Sequence, residues 1–292
     1  MLKRYRVRDY DFKLVIFLIA ISIIGVLIVG SAKAEVQSKQ LLGLIVGVFL
    51  MVVISLFDYS FFLQFYWVIY VGNLILLLLV RFAGVEVNNA KRWLEIAGIQ
   101  FQPSETAKIL LILFFSQYIM KHKETLNTFK TLASCVGLLL PPLWLIYNQP
   151  DLSTSIMIVI LICAIIFIGG LSYKIIGIAL AIIVPLVVIF LLLVVQPDQG
   201  LINLYQQKRI LAWLHPQEYA NSEGYQQDNS ITAIGSGQLF GKGYNNNVIS
   251  SVKNGNFISE PQTDFIFAIV GEELGFVGGS FVIILLLIDL GH

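Results

Sequence analysis

The segment Glu260-Pro261-Gln262-Thr263-Asp264 leads directly into a long apolar run from Phe265 to Ile288. A carboxylate at the water–lipid boundary stays ionised at little cost yet lies within reach of a lipid-borne substrate, so Asp264 is the leading candidate to carry chemistry. The plainer alternative is that it caps the last span. Glu272 and Glu273 follow two turns farther in, where two adjacent acids demand a polar interior or a water-filled cavity. Three carboxylates at the head of one helix are more than capping needs.

A second group of polar residues lies between Arg81 and Glu105. Asn89-Ala90-Lys91-Arg92-Trp93-Leu94 is followed by Phe101-Gln102-Pro103-Ser104-Glu105-Thr106-Ala107-Lys108. Trp93 reads either as an interfacial anchor or as a substrate contact. Ser104 resembles an N-cap behind Pro103. Glu105 and Lys108, three residues apart, share a helix face near or within the membrane, where an ionisable residue is a functional candidate. A mutual structural ion pair explains them equally well.

Two further motifs stand elsewhere. In Gln149-Pro150-Asp151-Leu152, Asp151 is expected to cap the following helix, with support of a cation as the alternative. The run Gly235-Ser236-Gly237-Gln238-Leu239-Phe240-Gly241-Lys242-Gly243 suggests a phosphate loop but lacks its first glycine and its Ser or Thr after the lysine. What survives is a mobile loop whose amides and Lys242 meet a pyrophosphate, against plain turn chemistry.

The elements that must position these residues are membrane helices. Of 292 residues 57% are apolar, which excludes an ordinary soluble domain. Eight stretches are long enough, or nearly so, to cross a hydrocarbon core: 14–32, 41–57, 61–80, 106–120, 131–147, 155–171, 175–195 and 265–288. The fourth is short and carries Lys108. The first resembles a signal peptide, but its apolar core is too long and more spans follow. Lys3, Arg4, Arg6, Arg8 and Lys13 ahead of it place the N-terminus in the cytoplasm. The loops from Arg81 to Glu105, from Asn148 to Asp151 and from Gln196 to Asp264 then open on the outer side. A net charge of +1 says nothing about partners, and Cys135 and Cys163 read as small buried apolar residues inside spans. The expected architecture is all-α: a polytopic helical bundle of about eight spans forming one membrane domain over 1–292. Asp289-Leu290-Gly291-His292 follows the last span without a basic tail, which reads as an incomplete chain.

In their order and spacing these motifs resemble the SEDS family (shape, elongation, division and sporulation), most closely its RodA members. The residues that carry the resemblance are Lys91-Arg92-Trp93, Gln102-Pro103-Ser104-Glu105 with Lys108, and Gln149-Pro150-Asp151-Leu152. With them go Tyr205-Gln206 with Arg209, Gly224-Tyr225-Gln226, Gly235 to Gly243, and Pro261 through Gly275. Gln262 stands where the family usually has His, and Asn245-Asn246-Asn247 replaces a Gly-Thr-Gln element. The family usually has ten spans, so the last two are missing from this count.

The resemblance implies a peptidoglycan glycosyltransferase that polymerises lipid II on the outer face of the bacterial cytoplasmic membrane for elongation and cell shape. It works with a class B penicillin-binding protein and other cell-wall synthesis proteins, and with no nucleic acid. The family's essential aspartate falls on Asp264, its loop tryptophan on Trp93, and its acid–base pair on Glu105 and Lys108. A leaving diphosphate needs positive charge, for which Arg92, Arg209 and Lys242 are the candidates. A divalent cation, magnesium or manganese, held by acids such as Asp151 or Glu272 is the alternative source of positive charge. Rival functions are a lipid II flippase, with Glu105, Lys108, Glu272 and Glu273 lining its path, and a non-catalytic scaffold for the penicillin-binding protein. No pair of interrupted spans is expected.

Overall fold

The structure, a computed structural model, describes residues 10–291 apart from 88–89, 97–98, 150, 197–199, 201, 203, 216–217, 220–223, 246–250, 252–253 and 256. Lys3, Arg4, Arg6, Arg8 and two of the three consecutive asparagines, Asn246 and Asn247, therefore lie outside the described residues.

Every expected span is helical. In chain order the helices are α1 (Phe12–Ala32), α2 (Ala34–Ser55), α3 (Tyr59–Gln64), α4 (Tyr66–Ala83), α5 (Pro103–Lys121), α6 (Phe129–Tyr147), α7 (Leu152–Ile168), α8 (Tyr173–Val194), α9 (Leu204–Leu214), α10 (Tyr225–Ser236) and α11 (Ile266–Gly291). Six of them, α1, α2, α4, α6, α8 and α11, are long and apolar enough to cross a membrane. Of the other two expected spans, α7 has only 17 residues and α5 carries Glu105 and Lys108 in its first two turns.

Several expected boundaries move. Asp58 caps the short α3 through Ser60 N, and the chain breaks at Phe65 before α4, so the third span is two helices. Between α4 and α5 lies a small antiparallel sheet in the order β1 (Val85–Val87), β2 (Ala90–Ile96), β3 (Ile99–Phe101), where only a loop was expected. The long segment after α8 contains α9 and α10. Cys135 is buried as expected, whereas Cys163 is exposed on α7.

The chain divides into two compact units, Asp58–Val187 and Leu2–Phe57 with Val188–His292. In the first, α4, α5, α6 and α7 pack around Leu77, Leu111, Phe114, Phe115, Ile146 and Ile158, all 1% exposed or less. Tyr70 stacks on Phe114 at 4.5 Å. Its hydroxyl donates to the Leu138 carbonyl at 2.7 Å. That carbonyl lacks its usual helical donor because Pro142 has no N–H, and in lipid such an orphan must be satisfied by protein. In the second unit, α1 packs on α2 and on α11, with Ile28, Ile269 and Val270 at the α1–α11 contact, and α10 packs along α11.

Candidate active site

Asp264 ends a tight turn directly ahead of α11. The Thr263 and Asp264 amides both donate to the Glu260 carbonyl, at 3.2 and 3.3 Å, and the Thr263 hydroxyl adds a third bond at 3.1 Å. Gln262, in the position of the family's usual His, donates its side-chain amide to the Glu260 carboxylate. The turn is pinned from below by Phe265 and Ala268, which pack against Ala233 of α10 and Ile258. Asp264 is exposed, two residues before the first helical residue. Among the described residues its carboxylate has no hydrogen bond and no ion pair, so it caps nothing.

The other acids of this helix are placed very differently. Glu272 and Glu273 are each 3% exposed. Glu272 Oε1 accepts from Lys242 Nζ at 2.8 Å. Glu273 accepts from the Ser31 hydroxyl at 2.5 Å on one oxygen and from the Asn245 amide at 3.1 Å on the other. Ser31 comes from α1, whereas Lys242 and Asn245 come from a segment that fills a break in α11. Gly275 adopts φ 68° and ψ −166°, a conformation reserved for glycine. Across the break, the Lys242 and Gly243 amides donate to the Glu272 and Glu273 carbonyls at 2.9 and 3.0 Å. In return, the Phe276 and Val277 amides donate to the Gln238 and Leu239 carbonyls at 2.8 and 3.1 Å. The approach is so close that a Cβ on Gly241, itself at φ 79°, would lie 2.1 Å from the Glu273 carbonyl oxygen.

The glycine run is therefore the filling of a helix break. Its amides at Lys242 and Gly243 are already engaged, which corrects the expectation of an open anion cradle. This span is thus interrupted, about 14 Å along α11 at 1.5 Å per residue.

In the first unit the sheet arranges the remaining candidates. Trp93 is half-buried on β2 opposite Val85, beside a bulge between Val85 and Glu86, so it belongs to a strand. Arg92 Nε donates to the Gln149 carbonyl at 3.0 Å, and the Gln149 side chain donates to Leu77 O at 3.3 Å, tying the sheet to the α6–α7 turn. The N-cap of α5 is Gln102, with Pro103 at the first helical position. Ser104 is not the cap: its fully buried hydroxyl accepts from the Gln102 side-chain amide at 3.0 Å. Glu105 and Lys108 pair with each other at 2.8 Å. Asp151 caps α7, accepting from the Thr154 amide at 3.1 Å and the Thr154 hydroxyl at 2.9 Å.

Arg209 lies on α9, its side chain outside the described residues. Among the described residues no group of three or more His, Cys, Asp or Glu side chains could hold a metal ion. The helix break and the buried Ser31–Glu273 contact were missed by sequence reasoning. Gly275 two residues after a pair of acids was their one visible signal.

A family model for FtsW, RodA and SpoVE, described as cell cycle protein, matches residues 10–290. The chain belongs to this family. A probable peptidoglycan glycosyltransferase FtsW of Taylorella equigenitalis is 34% identical over 85% of the chain and 65% of its own length. The peptidoglycan glycosyltransferase MrdB of Escherichia coli is 31% identical over 92% of the chain and 70% of its own length. Among the first relatives, the chain spans between 65% and 75% of their length. Two solved structures share the fold at 24% identity and cover 97% of the chain. One is a chain of a peptidoglycan synthase complex (TM-score 0.72, 76% of that chain); the other is the rod shape determining protein RodA of Thermus thermophilus (TM-score 0.61, 73%). A family member with these apolar helices is a multi-pass membrane protein.

Proposed function

We propose that this chain is a peptidoglycan glycosyltransferase that polymerises lipid II, with Asp264 as its general base. One observation carries the assignment. Asp151, Glu105, Glu272 and Glu273 are each engaged by a partner within the protein, whereas Asp264 stands exposed with none among the described residues. The names of its relatives support the reaction class.

In the step proposed, the 4-hydroxyl oxygen of the acceptor sugar bonds to the anomeric carbon of the donor. The carbon–oxygen bond to the lipid diphosphate breaks, the diphosphate leaves with the electron pair, and Asp264 receives the hydroxyl proton. A diphosphate departs without a protonated acid, so one base suffices, and single displacement inverts the donor. Asp264 is exposed, so the dry surroundings that favour proton transfer arrive with the lipid-linked substrates. Arg209 is assigned to the departing diphosphate; Lys242 and Arg92, already bonded to Glu272 and Gln149, would have to exchange partners to join it. Substrate contact by Trp93, Glu105 and Lys108 rests on the family resemblance. So do a cytoplasmic N-terminus, an outward active face, a class B penicillin-binding partner and a role in elongation and cell shape.

The interruption of α11 favours a flippase, since transporters use broken helices. Here, however, the glycine run closes the break with backbone hydrogen bonds. The test is glycan synthesis from fluorescent lipid II by the full chain with its cognate transpeptidase. Asp264→Asn should lower the rate at least about 100-fold while lipid II binding and thermal stability hold. Equal polymer from both proteins would refute the base. Lipid movement without polymer from either would identify a flippase, and neither activity, with transpeptidase binding intact, a scaffold.

A further inference from the structure

The face of the first unit formed by α4, α6 and α7 carries two apolar grooves separated by one side chain. Trp144, 58% exposed, walls both. With Ile156 and Val159 it lines a groove of about 450 Å³ between α6 and α7, and with Ile75 and Leu78 a second of about 270 Å³ between α4 and α6. The guanidinium of Arg81 stands over the indole, 5.9 Å from its ring centroid. Arg81 is in the last turn of α4, and Trp144 is three residues from the end of α6. The end of α4 packs against β2, and α6 ends in the turn after Tyr147, so in a membrane-spanning bundle both ends lie toward an interface. Among the described residues Arg81 has no hydrogen bond and no ion pair.

We infer that this face binds an anionic glycerophospholipid, its phosphate on Arg81 and one acyl chain in each groove. An interfacial anchor accounts for Trp144 alone. It does not account for a cation that no acid among the described residues neutralises, held at the head of a fork with two apolar arms. Charge and branching together select the occupant. A zwitterionic lipid brings its own ammonium to compete with Arg81. A polyprenyl diphosphate has the negative charge but a single chain, which leaves one groove empty. The planar guanidinium donates to phosphate from its edge while its face stays on the indole, which an ammonium cannot do. The groove runs about 10 Å along α6, from Leu140 to Tyr147, a good part of one leaflet's hydrocarbon. The inference is independent of the reaction proposed above.

The full chain, purified in detergent, is titrated with palmitoyl-oleoyl phosphatidylglycerol or phosphatidylcholine and read by native mass spectrometry. The expected result is one phosphatidylglycerol per chain, bound at least tenfold more tightly than phosphatidylcholine. Arg81→Gln should reduce this to the phosphatidylcholine level, Arg81→Lys should fall between, and Trp144→Ala should lose retention with Arg81 intact. Equal retention of both lipids by the wild type would overturn the site, as would full phosphatidylglycerol retention by Arg81→Gln. Displacement of phosphatidylglycerol by an equimolar amount of undecaprenyl diphosphate would overturn the two-chain assignment in favour of the carrier lipid.

Discussion

Each unit contains a lysine–glutamate pair at 2.8 Å, and the two pairs have little else in common. Glu105 and Lys108 are neighbours on one helix turn, with side chains 57% and 27% exposed. Lys242 and Glu272 are 30 residues apart, and the glutamate side chain is 4% exposed. A local, exposed pair contributes only a few tenths of a kcal/mol, because both ends remain solvated when apart. A buried pair contributes little over an apolar replacement, but removing one member strands the other at a cost of about 3–5 kcal/mol. Identical chemistry at an identical distance therefore implies opposite roles. The first pair is dispensable to the fold and available to a ligand; the second is a constraint on it.

The strongest way to break this contrast is to remove the geometry that creates the buried pair. Gly275→Ala places a side chain in a glycine-only conformation and drives a Cβ to within 2.3 Å of the Gly241 amide. The expected cost is upwards of about 3 kcal/mol from strain and clash together, read as loss of folded protein in thermal unfolding in micelles. Lys242→Met, which leaves the buried Glu272 carboxylate without its ammonium, should cost about 3 kcal/mol, and the double change Lys242→Met with Glu272→Gln should restore part of it. A double variant no better than the single would mean the pair does not hold the break together. In the first unit, Asp151→Ala should cost only about 1 kcal/mol, the usual value of a lost N-cap. Glu105→Gln should be smallest, about 0.5 kcal/mol and within about 2 °C in the unfolding midpoint. If its glycan synthesis nevertheless falls more than tenfold, the exposed pair acts on substrate; if activity tracks stability, it is merely a surface bridge.

The spans were legible because apolar length is a coarse signal that lipid enforces: every expected stretch is helical, the third as two helices, and six helices are long and apolar enough to cross a membrane. The small sheet was less so. Val85-Glu86-Val87 and Ile99-Gln100-Phe101 alternate, and Asn88-Asn89 and Ala97-Gly98 are turn-forming dipeptides, but each strand is too short to stand out beside helices. Asp264 was legible as a lone acid at a boundary. What could not be read was which acids the fold engages. Lys242 and Glu272 meet only because a glycine opens α11, and glycine is common in membrane helices without breaking them. Ser31 meets Glu273 across 242 residues, a distance no local pattern encodes.

The break at Gly275 also dictates an order of assembly. On its own, α11 would expose the Glu272 and Glu273 carbonyls and the Phe276 and Val277 amides to hydrocarbon, each at a cost of several kcal/mol. The helix therefore either enters the bilayer unbroken and opens later, or waits until residues 237–243 lie beside it. On both routes its final shape is reached only when residues 237–243 have docked against it. Asp264, fixed at the head of that helix, takes up its position only once that docking is made.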